Sequence, residues 1–280
     1  MAIQLFSDGI AAFNSPHPDS PQFRVTGEFE LPPDMELPSY PKARQVMALL
    51  FLRAGQLVTT DELTYELWET GIPTSRTTLH THISQVRKGL RDDKRAKEKQ
   101  LIQTAPPLGY WVNIDPRKID ILRFVDLIKG IGVSPEDDEA SLRRILCDLE
   151  SALSLVRGPV LKGVEHGRTL SNLIQMFDEY IRMAHTQRFM AALMLGRHQS
   201  VSGELFELYM NDLSNENVAR LWMLALYRCN RRQEALTTYQ KLRRVLRDEF
   251  GADPSPQVAA LHVKILRGDP ELAENFRLLG

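Results

Sequence analysis

Residues Ser75 to Leu90 describe a helix with two incompatible faces, and no other stretch constrains the fold as strongly. At about 100° per residue, Leu79, Ile83, Val86 and Leu90 fall within about 60° of one another, a narrow apolar stripe that needs a core. Thr77, Thr81, Ser84 and Lys88 point the opposite way, with His80, Gln85, Arg87 and Arg91 between them. The polar side of a surface helix ordinarily meets only water, but such a side mixes both signs of charge. Here no Asp or Glu interrupts the donors until Asp92 and Asp93. A face rich in donors and cations fits a polyanion with readable edges.

The flanking segments give that helix a setting. Asn14 to Gln22 holds Pro16, Pro18 and Pro21 and reads as part of a flexible lead-in over 1–21. From Phe23 to Leu31 apolar and polar residues alternate except at Gly27, which predicts a half-buried strand with a bulge or turn at the glycine. Ala43, Val46, Met47, Leu50 and Ala54 recur at helical spacing, with Gly55 as a C-terminal cap. Thr59 and Glu62 form a capping box that opens a second helix carrying Leu63, Leu67 and Trp68, and Gly71 and Pro73 end it. Ser75 then suits the N-cap of the third helix.

After a charged run from Asp92 to Lys99, read as a solvated loop or helix end, Leu101 to Ile114 predicts a hairpin. Its arms carry Leu101, Ile102, Trp111, Val112 and Ile114, and its tip Pro106, Pro107 and Gly109. Three helices followed by a hairpin predict a winged helix-turn-helix over 22–115.

From Asp120 onward the pattern is nearly continuous helix. Within Ala219 to Phe250, residues Trp222, Leu226, Tyr227, Ala235, Leu236 and Tyr239 match the packing positions of a tetratricopeptide repeat of about 34 residues. Moving back by that period sets Gly196 and Arg197 over Asn230 and Arg231, and Leu205 over Tyr239. The expected fold is therefore mainly α: a winged helix-turn-helix (α+β), then an all-α tetratricopeptide-like domain over 116–270, then a tail over 271–280. A chain of 280 residues accommodates two such cores.

The net charge of −1 conceals an uneven distribution. Residues 1–41 hold one Arg against six acids, whereas 42–100 hold eleven Lys and Arg against seven. The basic segment coincides with the helix-turn-helix.

Motifs for other chemistry are missing. No G-x-x-x-x-G-K-[ST] loop and no G-x-S-x-G elbow occurs. His80 and His82, two apart on a helix, cannot share a face and make a poor metal pair. Cys147 and Cys229 have no metal-type spacing, sit in apolar helical patterns as small buried hydrophobes, and argue for a reducing compartment. Asp137 and Asp138 read as linker. No catalytic residue, cofactor or metal is expected. Met1 to Pro18 lacks a cationic start and carries Asp8, against a secretory signal, and the longest apolar run, Val46 to Leu52, is too short for a bilayer. The expected setting is the cytoplasm, on the nucleoid, with no membrane partner.

Several segments together resemble a known family. F-R-V-T-G, P-K-A-R-Q-V-M-A-L-L-F-L, L-T-Y-E-L-W, T-L-H-T-H-I-S-Q-V-R-K-G-L and G-Y-W-V resemble the OmpR-type winged helix, the output module of phosphorelay regulators. Leu195 to His198, L-A-L-Y-R, E-A-L-T-T-Y-Q, G-A-D-P-S-P and I-L-R-G-D-P resemble a bacterial transcriptional activation domain. From Phe23 to Pro270 the chain thus resembles the Streptomyces antibiotic regulatory protein family, activators that join those two modules.

The resemblance implies binding of double-stranded DNA at direct repeats upstream of biosynthetic gene clusters, recruitment of RNA polymerase holoenzyme, and a homodimer at least on DNA. Repeats would lie about one helical turn, or a multiple, apart. It places Thr77, Thr81, Ser84, Gln85 and Lys88 at major-groove positions, Arg87 and Arg91 at phosphates, Arg76 near the helix start, and Thr104, Gly109 and Tyr110 in the wing. Thr78 and His80 complete the expected DNA-binding set. One departure stands out: family wings usually carry an Arg near the tip, and this one reads T-A-P-P-L-G-Y. More of the specificity should then rest on the third helix. Two other readings stay open, a repeat scaffold whose winged helix binds protein, and a repressor.

Overall fold

The computed structural model describes residues 21–68, 75–91, 100–134, 136–270 and 272, except the side chains of Ser75 and Arg76. The expected breakers Gly71 and Pro73, the charged run to Lys99, and the lead-in and tail apart from residues 21 and 272 therefore lie outside the described residues, whereas Ser75, expected as an N-cap, is instead the first residue of a helix. The chain forms two compact units. One takes residues 21–126 and Leu155–Asp178; the other takes Leu127–Ser154 and the chain from Glu179.

The first unit is built around α1 (Pro41–Leu52), whose residues Val46 to Leu52 are all buried. A helix apolar on every side belongs at the centre of a core. The Phe23 and Phe29 rings pack edge-on against Phe51, with centroids 5.1 and 5.7 Å away. Helix α2 (Thr60–Trp68) starts where the capping box requires. The Thr59 N–H and hydroxyl donate to the Glu62 carboxylate at 2.9 and 3.0 Å, and the Glu62 N–H donates back to Thr59 Oγ1 at 3.1 Å. Helix α3 (Ser75–Gly89) turns Leu79, Ile83 and Val86 inward, and Leu90 just beyond it is buried with them. The strands β1 (Val58–Thr59), β2 (Ile102–Ala105) and β3 (Gly109–Val112) form an antiparallel sheet in the order β1-β3-β2. Ile102 pairs with Val112, and Val58 with Tyr110.

Three expectations need correction here. Residues 23–31 turn at Gly27 as expected, but they pair through isolated bridges rather than as a strand. Gly27 adopts φ +76°, and the segment folds back so that Arg24 bridges Glu30. Thr26, on the side expected to face solvent, is buried instead. Its N–H and hydroxyl donate to Asp120 Oδ2 at 3.0 and 2.6 Å, while the Val25 N–H donates to Oδ1 at 2.9 Å. Asp120, only 2% exposed, opens α4 (Asp120–Ile128). Second, α1 ends at Leu52 with Arg53 as its cap, so Gly55 is not the cap. Gly55 takes the left-handed conformation beyond the helix and donates its N–H to Val112 O. Third, the helical run after Asp120 is interrupted: Val160 and Leu161 are buried, and residues 159–162 bond to the 25–27 backbone.

Glu66 closes this unit. Its buried carboxylate, on a residue 2% exposed, accepts from Gln45 Nε2 at 2.8 Å, the Gly167 N–H at 2.6 Å and the Leu170 N–H at 3.0 Å. The last two are unpaired donors at the start of α6 (Arg168–Met194), where a negative charge also meets the positive end of the helix dipole.

The second unit is all helix: α5 (Glu139–Leu153), the later part of α6, α7 (His198–Asn211), α8 (Glu216–Arg228), α9 (Arg232–Phe250) and α10 (Pro256–Arg267). Helix α8 is buried continuously from Ala219 to Leu226 and packs on both α7 and α9. The expected repeat register is visible in the backbone. Gly196 and Asn230 both adopt left-handed φ, +71° and +60°. Arg197 N donates to Ala192 O at 2.8 Å, and Arg231 N donates to Leu226 O at 2.9 Å. These are the same helix stop about 34 residues apart. Gly268 repeats it after α10, with φ +67° and a bond from Asp269 N to Lys264 O. Two smaller expectations fail: Cys147 is exposed rather than buried, and Asp138 is the N-cap of α5, accepting from the Ser141 N–H at 2.8 Å.

One group in this unit links stability to pH. His185 stacks on Phe189, and its Nδ1 is buried without a hydrogen-bond partner among the described residues. Burial, and then the Arg188 charge, push its pKa down to about 4 from 6.5. The unfolded chain therefore takes up a proton that the folded one refuses. Stability present above 6.5 is lost as pH falls toward about 4, at about 1.4 kcal/mol per pH unit. Urea denaturation of the wild type and His185→Phe across that window is expected to show a shallower pH dependence in the variant.

Candidate nucleic-acid interface

Because α3 buries one stripe, it must present the other. Thr77, Thr78, His80, Thr81, Ser84 and Lys88 are all exposed, as is Arg91 past the helix end. Arg91 takes φ +53°, so the chain turns sharply there. The described part of the face carries no acidic side chain. The Thr81 hydroxyl donates back to Thr77 O at 3.3 Å and retains its acceptor lone pairs. Gln85 is half-buried, its Oε1 3.4 Å from His82 Nδ1.

Three other expected site residues, Arg87, Gly109 and Tyr110, are engaged within the protein. Arg87, expected at phosphates, instead ties the helix to the wing. Its Nη2 donates to Ile102 O at 3.0 Å and to Thr104 Oγ1 at 2.7 Å. Gly109 and Tyr110, expected as wing contacts, are buried. A Cβ on Gly109 would lie 2.1 Å from Val58 O, so only glycine lets β1 approach β3 there. The Tyr110 hydroxyl lies 2.8 Å from His80 Nδ1, which couples the wing to the exposed side of α3. Burial raises the Tyr110 pKa, and the Arg87 charge partly opposes it. Thr104 remains exposed. Arg76 lies outside the described side chains.

The Arg87 and Tyr110 bonds were not legible in sequence, since both cross between segments more than a dozen residues apart. The spacing of Thr59 and Glu62 was, because both partners lie within one turn. Among the described residues no group of His, Cys, Asp and Glu could hold a metal ion, and no helix is long and apolar enough to cross a membrane.

The geometry of a cationic helix held against a hairpin has counterparts. The bacterial transcriptional activator domain matches residues 119–266, and the C-terminal domain of transcriptional regulatory proteins matches residues 34–112. Regulatory protein DnrI of Streptomyces peucetius is 34% identical over 244 residues, 84% of this chain and 87% of that protein. The chain belongs to the Streptomyces antibiotic regulatory protein family. As a member it is a transcriptional regulator. The transcriptional regulatory protein MoaR1 of Mycobacterium tuberculosis is 32% identical over 254 residues, 89% of this chain and 80% of that one. Among solved structures, Mycobacterium tuberculosis EmbR in complex with a low-affinity phosphopeptide superposes with a TM-score of 0.75 at 28% identity. That match covers 89% of this regulator but only 65% of the EmbR chain.

Proposed function

We propose that this regulator is a sequence-specific DNA-binding activator, acting on promoters of an antibiotic or secondary-metabolite gene cluster. The observation that carries the reading is the exposed row of hydroxyls and cations on α3, free of acids and opposite a fully packed stripe. Thr77, Thr78, Thr81, Ser84 and Gln85 read base edges in the major groove, and His80 presents its Nε2 beside them. Lys88 and Arg91 meet the duplex as cations. Arg87, Gly109 and Tyr110 position the wing, and Thr104 sits on its exposed side. Arg76, at the helix start, belongs to the same basic segment.

Two copies bind direct repeats as a homodimer, at least on DNA, and the helical-repeat unit recruits RNA polymerase holoenzyme. The setting is the cytoplasmic nucleoid. DNase I footprinting of its neighbouring promoters is expected to reveal two protected repeats in the same orientation, and transcription with purified polymerase is expected to rise. Protection with falling transcription means a repressor. No protection of any promoter means a protein-binding scaffold.

A further inference from the structure

The two repeat stops of the second unit border one cavity, and its walls are basic. A hollow of about 350 Å³ is lined by Gly196, His198, Tyr227, Arg228, Asn230 and Arg232, none of them acidic. Its size falls at the lower end of small-molecule sites. The repeat explains how these residues meet. Gly196 and Asn230 each take left-handed φ one repeat period apart, and His198 and Arg232 then open α7 and α9. Both helix starts therefore reach the same hollow.

Charge stands at the wrong helix ends here. The N-terminus is the positive end of the helix dipole and disfavours cations, yet basic residues hold the cap and first positions of both helices, Arg197 and His198 on α7, Arg231 and Arg232 on α9. Neither start has a side-chain cap, whereas α5 and α8 in the same unit are capped by Asp138 and Asn215. The single acid in the two first turns, Glu234, is taken by Arg231 at 2.7 and 2.6 Å. Two arginines of the cavity are held in place by carbonyls: Arg228 Nη1 donates to Leu193 O and Arg232 Nη2 to Leu266 O, both at 2.6 Å. Capping of helix C-termini accounts for those bonds. It does not account for His198, whose Nδ1 is buried with no hydrogen-bond partner among the described residues. We infer that the cavity binds a small molecule carrying a phosphate, whose oxygens meet His198, Arg232 and the first N–H groups of α7 and α9, with the organic part beside Tyr227. Arginine forks and helix starts are the donors that suit several anionic oxygens at once. This site stands apart from the DNA-binding reading of α3.

The test uses the full chain with AMP and inorganic phosphate as probes at constant ionic strength, read by thermal unfolding and by calorimetric titration. Both probes are expected to raise the wild-type melting temperature, AMP more than the bare ion. Arg232→Gln and His198→Gln alter one helix start each, so either decides the matter if the other fails to fold. Each should weaken AMP binding roughly tenfold, the loss of one charge-assisted bond, and should melt without ligand close to the wild type. Phosphate also stabilises proteins by exclusion from their surface, an effect blind to these substitutions. An equal rise in all three proteins therefore overturns the inference, as does no rise in the wild type. Binding of a phosphoserine peptide without any binding of AMP overturns it too, because the site would then serve a protein partner.

Discussion

Replacing Asp120 with alanine is expected to destabilise the first unit by about 3–5 kcal/mol, from the loss of several charge-assisted bonds and the stranding of their donors. The carboxylate holds the Val25 N–H, the Thr26 N–H and the Thr26 hydroxyl, all in a buried setting. It also bonds the Ile121 N–H at 2.7 Å, at the first turn of α4. Alanine leaves the two backbone donors of residues 25 and 26 buried and unanswered. The Thr26 hydroxyl fares better because it also reaches Leu155 O at 2.9 Å. Thr26→Val should consequently cost less, about 1–2 kcal/mol. Native-state amide exchange of Val25 and Thr26 reads the effect locally: protection is expected to collapse in Asp120→Ala and to persist in Thr26→Val. Equal protection in all three proteins would remove Asp120 from its structural role.

The second large effect is expected from Gly109→Ala. The new methyl would sit 2.1 Å from Val58 O and 2.8 Å from Thr59 Cα, both backbone atoms that cannot step aside singly. Relief requires opening the pairing of Val58 with Tyr110 and Thr59 with Gly109. Forced overpacking of this kind costs about 1–3 kcal/mol, and lost ladder bonds add to it. The consequence should reach the exposed face of α3, because Tyr110 carries the bond to His80 and the neighbouring Leu108 holds the wing to α2. Thermal unfolding should shift down by several degrees, and affinity for a protected duplex should fall. Gly203→Ala provides the contrast: in α7 its added methyl meets nothing within 4 Å, and helix propensity predicts unchanged or slightly higher stability. Comparable losses in both variants would mean that glycine removal itself, rather than the approach of β1, sets the cost.

The helices were legible because their signals are local. The stripe Leu79, Ile83, Val86 and Leu90, the box at Thr59 and Glu62, and the turns at Gly196 and Asn230 each depend on residues within a few turns or one repeat period. Failures came where distant segments decide. Alternation over 23–31 suggested a strand with a bulge or turn at Gly27 and Thr26 facing solvent, yet the buried Asp120 carboxylate, more than ninety residues away, captures Thr26 and turns that residue inward. The family resemblance implied a phosphate role for Arg87, and nothing in the sequence signals that the wing carbonyl of Ile102 and the Thr104 hydroxyl lie within its reach. Gly109 and Tyr110 matched a wing pattern whose residues serve the sheet rather than its outer surface. The exposure of Thr77, His80, Thr81, Ser84 and Lys88 followed directly from the helical period.

The exposed face of α3 is tested most directly by a salt titration. Anisotropy of a labelled promoter duplex, measured with the full-length wild type and Lys88→Ala at several salt concentrations, gives the number of cations released on binding. Lys88 is exposed at the end of α3, so its removal should leave the fold intact. The variant is expected to bind every duplex more weakly and to lower the magnitude of the log-affinity against log-salt slope by about 0.9, one phosphate contact. Identical affinities and slopes for the two proteins at every salt concentration would contradict a duplex seated on this helix.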